Sequence, residues 1–265
     1  MLAIIGGTGL ARLPGLRDAR REVVRTPFGD PSCALTFGHI DGKPIVFLAR
    51  HGYGHTIAPH EINYRANIWA LQEVGVERVI AVATVGGIRG DCGPGALVVP
   101  DQIIDYTSGR HGSYFEGTEQ PVTHIDFTEP YDAQTRRRLL DAGERAQRAL
   151  IDGATYGCTQ GPRLETAAEI ARLERDGCCI VGMTGMPEAA LARELELPYA
   201  ALCVVANHAA GKGTSRNAIS LEGIRRVLDG AMESVRLVLE WAVKGEGDPS
   251  PFTSSQTRNA PNNSP

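Results

Sequence analysis

Five short apolar segments of this chain each end in a glycine-rich or polar cluster, and this pattern constrains the fold most strongly. The segments end at Ile5, Ala49, Thr84, Met183 and Ala206. Short apolar runs bounded by turn residues are typical of buried strands. Amphipathic helical periods lie between several of them. Strands that alternate with helices predict an α/β fold.

Ligands in open α/β sheets bind at the carboxyl ends of the strands. Arg50 and His51 follow the apolar segment 45–49 directly. A guanidinium beside an imidazole suits an oxyanion such as phosphate, because both groups can donate hydrogen bonds. Alone, such a pair is more often a surface arginine and histidine. The polar residues after the other segments therefore have to support a phosphate site.

The glycine-rich turn after the first segment gives such support. Its sequence, Gly6-Gly7-Thr8-Gly9, offers backbone N–H groups and one hydroxyl to a phosphate. The spacing does not match the dinucleotide-binding pattern, and Pro14 interrupts the helix that this pattern requires. If the five strand ends converge, one cleft receives these residues: Thr8, Arg50, His51, Thr84, Thr184 and Asn207.

Composition excludes several other classes of protein. The 265 residues suit one large domain, and the net charge is −4 without a cluster of basic residues. Nucleic-acid affinity comes largely from clustered cations, so nucleic-acid binding is disfavoured. The first residues do not resemble a signal peptide, and no apolar run is long enough for a membrane span. Six cysteines without a C-x-x-C pair predict reduced thiols in the cytoplasm.

Helical periods and composition divide the chain into one domain and a tail. Helices are predicted over Tyr131–Leu150, Ala167–Arg175 and Leu221–Ala242. The domain is predicted to span residues 1–244. Residues 245–265 are rich in Pro, Ser, Asn and Thr with almost no aliphatic side chains, which predicts a disordered polar tail.

Two further segments have local signals. Asp41-Gly42, between the apolar segments 34–38 and 45–48, predicts a β-hairpin. Residues 108–120 are polar and glycine-rich, and we expect them to form a mobile loop.

Six segments between residues 2 and 243 also form an ordered set of motifs: Ile-Ile-Gly-Gly-Thr-Gly-Leu (4–10), Thr-Pro-Phe-Gly (26–29), Leu-Ala-Arg-His-Gly (48–52), Asn-Tyr-Arg-Ala-Asn-Ile-Trp-Ala-Leu (63–71), Gly-Pro-Arg-Leu-Glu-Thr (161–166) and Gly-Met-Thr-Gly-Met-Pro-Glu (182–188).

This ordered set resembles the trimeric purine nucleoside and methylthioadenosine phosphorylase family. Each motif alone is modest, but their order along the chain is specific. The resemblance implies a single α/β domain with a mixed central β-sheet flanked by helices, assembled as a homotrimer with sites shared between subunits. It also implies phosphorolysis of a purine nucleoside to the free base and ribose 1-phosphate. Inorganic phosphate is then a co-substrate, and neither a metal nor another cofactor is expected.

Matched motif by motif, the resemblance assigns the phosphate site and the ribose site. Met183 would lie under the ribose, although a methionine at a strand end is often a plain core residue. Arg50, His51 and Asn207 are the expected catalytic residues. The expected phosphate ligands are Thr8, Arg50, His51, Thr184 and the backbone at Ala83 and Thr84.

The purine end is predicted to recognise a 6-oxopurine. Adenine-type members have an Asp-x-Asp pattern where this chain has Asn207-His208-Ala209. The Asn207 amide can donate to O6 while its oxygen accepts N7–H. Glu165 matches the glutamate that accepts N1–H in 6-oxopurine members; alternatively it is a first-turn acid favoured by the helix dipole. Leu164 replaces the family's usual aromatic residue against the base.

The sugar end points to a different substituent. Ordinary purine nucleoside phosphorylases have a histidine near the start of the last helix, where this chain has Leu221 and Ile224. These two residues would make an apolar pocket for a 5′-methylthio group, or they simply begin the core stripe of the helix. His124 matches a segment that reaches the neighbouring subunit's site, and His55 is placed to close the site from the loop 52–54.

Together the two ends predict phosphorolysis of 5′-methylthioinosine. The alternatives within the family are a methylthioadenosine phosphorylase and a general 6-oxopurine nucleoside phosphorylase. A nucleoside hydrolase and a non-catalytic nucleoside-binding protein are alternatives of a different class. Dependence of base release on phosphate separates them.

Overall fold

The structure, a computed structural model, describes residues 1–117 and 121–245. Within these residues, eleven strands form one sheet with both parallel and antiparallel pairs, and helices pack on its faces. The predicted α/β fold with a mixed central sheet is therefore confirmed. The strands are β1 (Leu2–Gly6), β2 (Arg17–Glu22), β3 (Leu35–Ile40), β4 (Lys43–Ala49), β5 (Arg78–Gly87), β6 (Leu97–Val99), β7 (Gln102–Asp105), β8 (Leu150–Asp152), β9 (Thr155–Cys158), β10 (Ile180–Gly182) and β11 (Tyr199–His208).

The helices form two layers because successive residues of a strand face opposite sides of the sheet. The helices are α1 (Tyr64–Glu73), α2 (Ala133–Arg145), α3 (Ala167–Arg175), α4 (Glu188–Glu194) and α5 (Leu221–Lys244). Ala3 and Ile5 of β1 lie in one hydrophobic cluster with α1 and α4, whereas Leu2 and Ile4 lie in the other with α2 and α5. Helix α3 packs in a third, smaller cluster.

Strand β5 changes its partner on one edge halfway along its length. Its first half pairs in parallel with β1, where Leu2–Ile5 lies opposite Arg78–Ala81. Its last residues pair in antiparallel with β10, and its other edge pairs with β11 throughout. Between the two partners, Val82–Val85 has no ladder partner on that edge among the described strands. The sheet thus leaves a gap that exposes strand backbone to a ligand.

One sequence prediction about secondary structure is wrong in part, and one strand was not predicted. The helix predicted over Tyr131–Leu150 ends at Arg145, and Leu150 begins β8 beside β6. Gln147 has φ of +55°, a left-handed conformation that ends the helix before Ala149, which is exposed. Strand β2 was missed because all six of its residues are exposed and none is aliphatic except Ala19, so no apolar pattern indicates an edge strand.

Other predictions agree with the structure. The hairpin around Asp41-Gly42 is present as β3 and β4, and α3 has the predicted bounds.

In the segment 108–117, Tyr114 is buried and its hydroxyl donates to the Arg65 carbonyl oxygen at 3.0 Å. The rest of the predicted mobile loop, residues 118–120, and residues 246–265 of the predicted tail lie outside the described residues.

The six cysteines are all free thiols. Cys92, Cys158, Cys178 and Cys203 are buried, as their apolar sequence context predicts. In the part of the chain that the structure describes, no helix combines the length and the apolar character that a membrane crossing needs.

Candidate active site

A cavity of about 180 Å³ lies beside the gap in β5. It opens at the carboxyl ends of β1, β4, β5, β10 and β11, as the pattern of strand ends predicts. The tertiary structure therefore brings residues from across the chain into one place. Those of the predicted site residues that line the cavity are Thr8, Arg50, His51, Ala83, Thr84, Leu164, Glu165, Met183, Thr184, Asn207, Ala209 and Ile224.

Arg50 is held by a fully buried ion pair. Its Nε and Nη2 donate to the two carboxylate oxygens of Glu188 at 2.6 and 2.7 Å, and the exposed fractions of the side chains are 1% and 0%. The Tyr199 hydroxyl also donates to Glu188, at 2.8 Å. Burial alone would lower the pKa of Arg50, but the adjacent carboxylate outweighs it and holds the pKa above its ordinary value. The arginine is therefore permanently charged and fixed in orientation.

The remaining N–H groups of Arg50 determine what it can bind. Nη1 donates to the Val82 carbonyl oxygen at 2.9 Å, on the unpaired edge of β5. A guanidinium has five N–H groups, and these three bonds leave two of them. Gly7 approaches closely here, since a Cβ on it would lie 2.7 Å from the Val82 oxygen and 3.0 Å from Nη1. The glycine turn therefore needs Gly7 in order to pack against the arginine.

His51 is neutral in this environment. Burial and the charge of Arg50 lower its pKa to about 4. Its Nδ1 lies 2.9 Å from the Ile57 carbonyl oxygen, which can only accept, so Nδ1 carries the proton. In the neutral ring Nε2 is then an acceptor. The ring of His55 packs on His51 with 4.5 Å between centroids, and its Nε2 lies 3.4 Å from the Thr8 hydroxyl.

Hydroxyl groups and backbone complete this end of the cavity. The Thr84 hydroxyl donates to the Thr8 carbonyl oxygen at 3.0 Å, which ties the glycine turn to β5. Thr184 is buried at the end of β10. Ala83 and Thr84 lie on the edge of β5 that has no ladder partner among the described strands. These groups and Arg50 form a concave surface with many donors that suits an oxyanion.

Another part of the cavity lining contains a carboxylate and an amide. Glu165 Oε1 accepts a hydrogen bond from the Thr159 hydroxyl at 2.6 Å. Glu165 precedes the N-cap of α3, Thr166, and the first-turn acid is Glu169, which completes a capping box. Glu165 is therefore not a first-turn acid of α3. Asn207 donates one amide N–H to the His208 carbonyl oxygen at 2.6 Å, which leaves its second N–H and its oxygen for a ligand.

Four predicted site residues do not line the cavity. His208 alternates with Asn207 and Ala209 along the strand, so its ring lies on the other side, where it bonds the Thr214 hydroxyl at 3.0 Å. Leu221 is 66% exposed. His124 is exposed, and His55 contacts the Thr8 hydroxyl and the His51 ring without lining the cavity itself.

Ile219 lines the cavity where Leu221 was expected. Ser220 is the N-cap of α5, so Leu221 is the first helical residue and lies on the solvent side, while Ile224 lies one turn further on. Residue spacing alone places Leu221 and Ile224 on one face. It does not reveal that the residue before the cap turns inward.

Sequence reasoning also missed Glu188 and Arg110. Glu188 is an acid after Pro187 at the start of α4, a position that usually indicates only a helix terminus. Arg110, in the segment predicted to be mobile, donates to the carbonyl oxygens of Gln160 at 2.8 Å and Met183 at 2.9 Å. An arginine in a glycine-rich loop gives no sequence signal of such contacts.

Known proteins similar to this chain agree with its fold and motifs. It is 52% identical to a protein of Pseudomonas syringae pv. tomato named "Probable S-methyl-5'-thioinosine phosphorylase", over 89% of this chain and 96% of that protein. It is 43% identical to a protein of Thermococcus kodakarensis named "Probable 6-oxopurine nucleoside phosphorylase", over 92% and 91% of the two chains.

Solved structures show the same architecture. A methylthioadenosine phosphorylase from Schistosoma mansoni in complex with adenine superposes with a TM-score of 0.87 at 30% identity, over 92% of this chain and 90% of that one. Residues 1–240 match the sequence model described as the Phosphorylase superfamily. The resemblance that the ordered motifs indicated is confirmed, and the chain belongs to the phosphorylase superfamily.

Proposed function

We propose that the protein catalyses phosphorolysis of 5′-methylthioinosine to hypoxanthine and 5-methylthioribose 1-phosphate. One observation carries this proposal: a single cavity joins an end rich in anion donors, around Arg50, to an end with a carboxylate and an amide, Glu165 and Asn207. A nucleoside with a phosphate beside its sugar presents groups that are complementary to both sets of residues. The name of the Pseudomonas syringae relative supports this activity, and the name of the Thermococcus kodakarensis relative supports a 6-oxopurine substrate.

In this proposal, phosphate lies between Arg50, Thr8, Thr184 and the backbone N–H groups at Ala83–Thr84. Because Glu188 already balances the charge of Arg50, directed hydrogen bonds hold the phosphate as much as net charge does. Neutral His51 accepts the O–H of monohydrogen phosphate through Nε2, since its Nδ1–H is used by Ile57. The site is thus preorganised for an oxyanion that still has one proton.

The reaction follows from charge. The C1′–N9 bond breaks and leaves an oxocarbenium-like sugar and an anionic purine, and a phosphate oxygen then forms the new bond to C1′. The bound phosphate stabilises the sugar cation, and no protein carboxylate has to act as nucleophile, unlike in retaining glycosidases. The purine takes up a proton at N7, which balances the proton that monohydrogen phosphate loses on becoming the sugar phosphate, and the Asn207 oxygen accepts the resulting N7–H. One hydrogen bond that strengthens as the base leaves contributes about 3 kcal/mol.

The purine end suits a 6-oxo group because Asn207 can donate to O6 and Glu165 can accept N1–H. At the sugar end, Ile219 and Ile224 line the cavity and present aliphatic surface. An apolar pocket favours a methylthio group over a hydroxyl by about 1–3 kcal/mol. Because this free-energy difference is modest, the proposal is a preference for the 5′-methylthio substituent and not exclusive specificity for it.

One observation favours a second candidate, a general 6-oxopurine nucleoside phosphorylase. Leu221, one of the two residues expected to make the 5′ pocket, is largely exposed. A relative at 43% identity is named for 6-oxopurine nucleosides without mention of a methylthio group. If the pocket is open at this point, inosine would be cleaved as well as 5′-methylthioinosine.

The assembly and the location are part of the proposal. We expect a homotrimer in which the segment around His124 reaches the neighbouring subunit's site, because Leu164 and Leu221 are exposed in a single chain, at 41% and 66%. Six free cysteines fit a reducing compartment such as the cytoplasm. We also expect inorganic phosphate to be the only additional small molecule that the reaction requires.

The direct test is a substrate panel, with 5′-methylthioinosine, methylthioadenosine, inosine and adenosine each assayed with and without phosphate. We expect fastest base release from 5′-methylthioinosine, and only with phosphate. Fastest cleavage of methylthioadenosine would refute the base assignment, and equal rates for inosine would favour the second candidate. Base release without phosphate would indicate a hydrolase, and binding without product would indicate a non-catalytic protein.

A double variant tests the purine assignment separately. Asn207→Asp with Glu165→Ser restores the residue types of the adenine-type pattern at both positions. We expect the turnover of methylthioadenosine relative to 5′-methylthioinosine to rise. An unchanged ratio would remove the support that these two residues give to a 6-oxopurine substrate.

A further inference from the structure

Thr159 contacts Glu165 but does not line the cavity. Its Oγ1 lies 2.6 Å from Glu165 Oε1 and 3.3 Å from the Gly182 carbonyl oxygen. A hydroxyl has a single proton, so it can donate fully to only one of these acceptors. The shorter contact, to a carboxylate, is the stronger bond. The hydroxyl proton therefore belongs to the Glu165 contact.

The backbone that carries Thr159 is itself held firmly. Thr159 N donates to the Gly182 carbonyl oxygen at 2.8 Å, in continuation of the β9–β10 pairing. Arg110 Nη2 donates to the next carbonyl oxygen, that of Gln160, at 2.8 Å, and Nη1 donates to that of Met183 at 2.9 Å. Thr159 therefore lies directly after β9, at the start of a turn that Arg110 holds. Glu165 lies further along, on the connection to α3.

We propose that Thr159 is a positioning residue that sets the preference for a 6-oxopurine by fixing one oxygen of Glu165. The inference rests on the proposed function, in which Glu165 accepts N1–H. With Oε1 engaged by a donor, the carboxylate of Glu165 is held in one orientation, and Oε2 is left to meet the base. A 6-oxopurine has a proton on N1 and satisfies this oxygen. A 6-aminopurine has a lone pair on N1 and would face a carboxylate that offers it no proton.

Three variants separate this role from packing. Thr159→Val keeps the side-chain shape and removes the donor, Thr159→Ser keeps the donor, and Thr155→Val makes the same replacement at the start of β9, away from the cavity lining. The measurement is kcat/KM for 5′-methylthioinosine and for methylthioadenosine with saturating phosphate. We expect Thr159→Val to lower the ratio of kcat/KM for 5′-methylthioinosine to kcat/KM for methylthioadenosine about tenfold, because the value for 5′-methylthioinosine falls. Thr159→Ser and Thr155→Val should give ratios close to that of the wild type.

Glu165→Gln, measured in parallel, distinguishes failure of this inference from failure of the proposed function. If Glu165→Gln lowers the ratio and Thr159→Val does not, Glu165 recognises the base independently of Thr159, and the inference is overturned. A ratio that Thr159→Ser lowers as much as Thr159→Val also overturns it, because packing would then explain the effect. If neither Glu165→Gln nor Thr159→Val changes the ratio, Glu165 does not read the base, and the base assignment in the proposed function fails together with the inference.

Discussion

The two ends of the cavity are built differently. At the end proposed to bind phosphate, Arg50 and Glu188 are fully buried, and the groups that fix them, the Val82 carbonyl and the Tyr199 hydroxyl, belong to strands of the central sheet. At the end proposed to bind the nucleoside, Glu165 and Leu164 lie on a connection between β9 and α3, Leu164 is 41% exposed, and Asn207 belongs to β11. Ile219 likewise precedes a helix rather than belonging to one.

This difference assigns separate tasks to the core and to the connections. A group that must hold a phosphate in place for any substrate benefits from a rigid, desolvated setting. Apart from Asn207, which belongs to β11, the groups proposed to choose the base and the 5′ substituent lie on connections that can change without disturbing the sheet. Substitutions at the phosphate end should therefore affect stability and all substrates alike, and those at the nucleoside end should affect substrate ratios.

The largest effect is expected from Glu188→Gln. The variant leaves the buried guanidinium of Arg50 without its countercharge, and breaking a buried ion pair costs about 3–5 kcal/mol. We expect the free energy of unfolding in urea to fall by that amount and the KM for phosphate to rise for every nucleoside. Glu222→Gln, which removes an exposed partner of Arg226 at 3.7 Å, is the control and should change little. Unchanged stability of Glu188→Gln would contradict a preorganised phosphate end.

A pH effect of similar size is expected from His51. Its pKa in the fold is about 4, against 6.5 for the ordinary side chain, so the unfolded chain binds the extra proton first as the pH falls. The stabilising contribution is fully present above pH 6.5 and is lost between pH 6.5 and 4, about 3 kcal/mol in total. His51→Asn should remove this part of the pH dependence of unfolding, whereas His60→Asn, at an exposed histidine, should not. Identical pH profiles for wild type and His51→Asn would contradict the neutral, buried ring.

A smaller effect is expected from Gly7→Ala. The added methyl group would lie 2.7 Å from the Val82 oxygen, so backbone or guanidinium has to move at a cost of about 1–3 kcal/mol. We expect lower stability in thermal unfolding and a higher KM for phosphate. Gly90→Ala is the matched control, because a Cβ there meets nothing within 4 Å. Equal phosphate KM values for the two variants would show that Gly7 does not position Arg50.

The smallest effect is expected at the nucleoside end. Ile219→Ser places a hydroxyl in the aliphatic part of the cavity and should lower the preference for 5′-methylthioinosine over inosine about tenfold, with little loss of stability. Leu221→Ser, two residues further on at an exposed position, should lower it less. A larger effect from Leu221→Ser in the assembled enzyme would show that a neighbouring subunit folds Leu221 into the site.

The ordered motifs were sufficient to predict the family, the α/β fold and most of the residues that line the cavity. They succeeded because the motifs lie at strand ends, which meet at one edge of a sheet whatever the rest of the chain does. They failed at His208, where strand alternation turns the ring away, and at Leu221, where the helix cap decides the direction of the side chain. Glu188 gave no signal, since an acid at a helix start needs no buried partner.

By itself the sequence determined which elements form and which residue types stand at the strand ends, because apolar periodicity and glycine turns are local properties. Only the tertiary structure decided that β5 changes partner between Ala81 and Gly86, and that Arg50 reaches Glu188 across 138 positions of the chain. It also decided that Thr159 bonds Glu165. Such contacts depend on how distant segments pack, and no short window of residues contains that information.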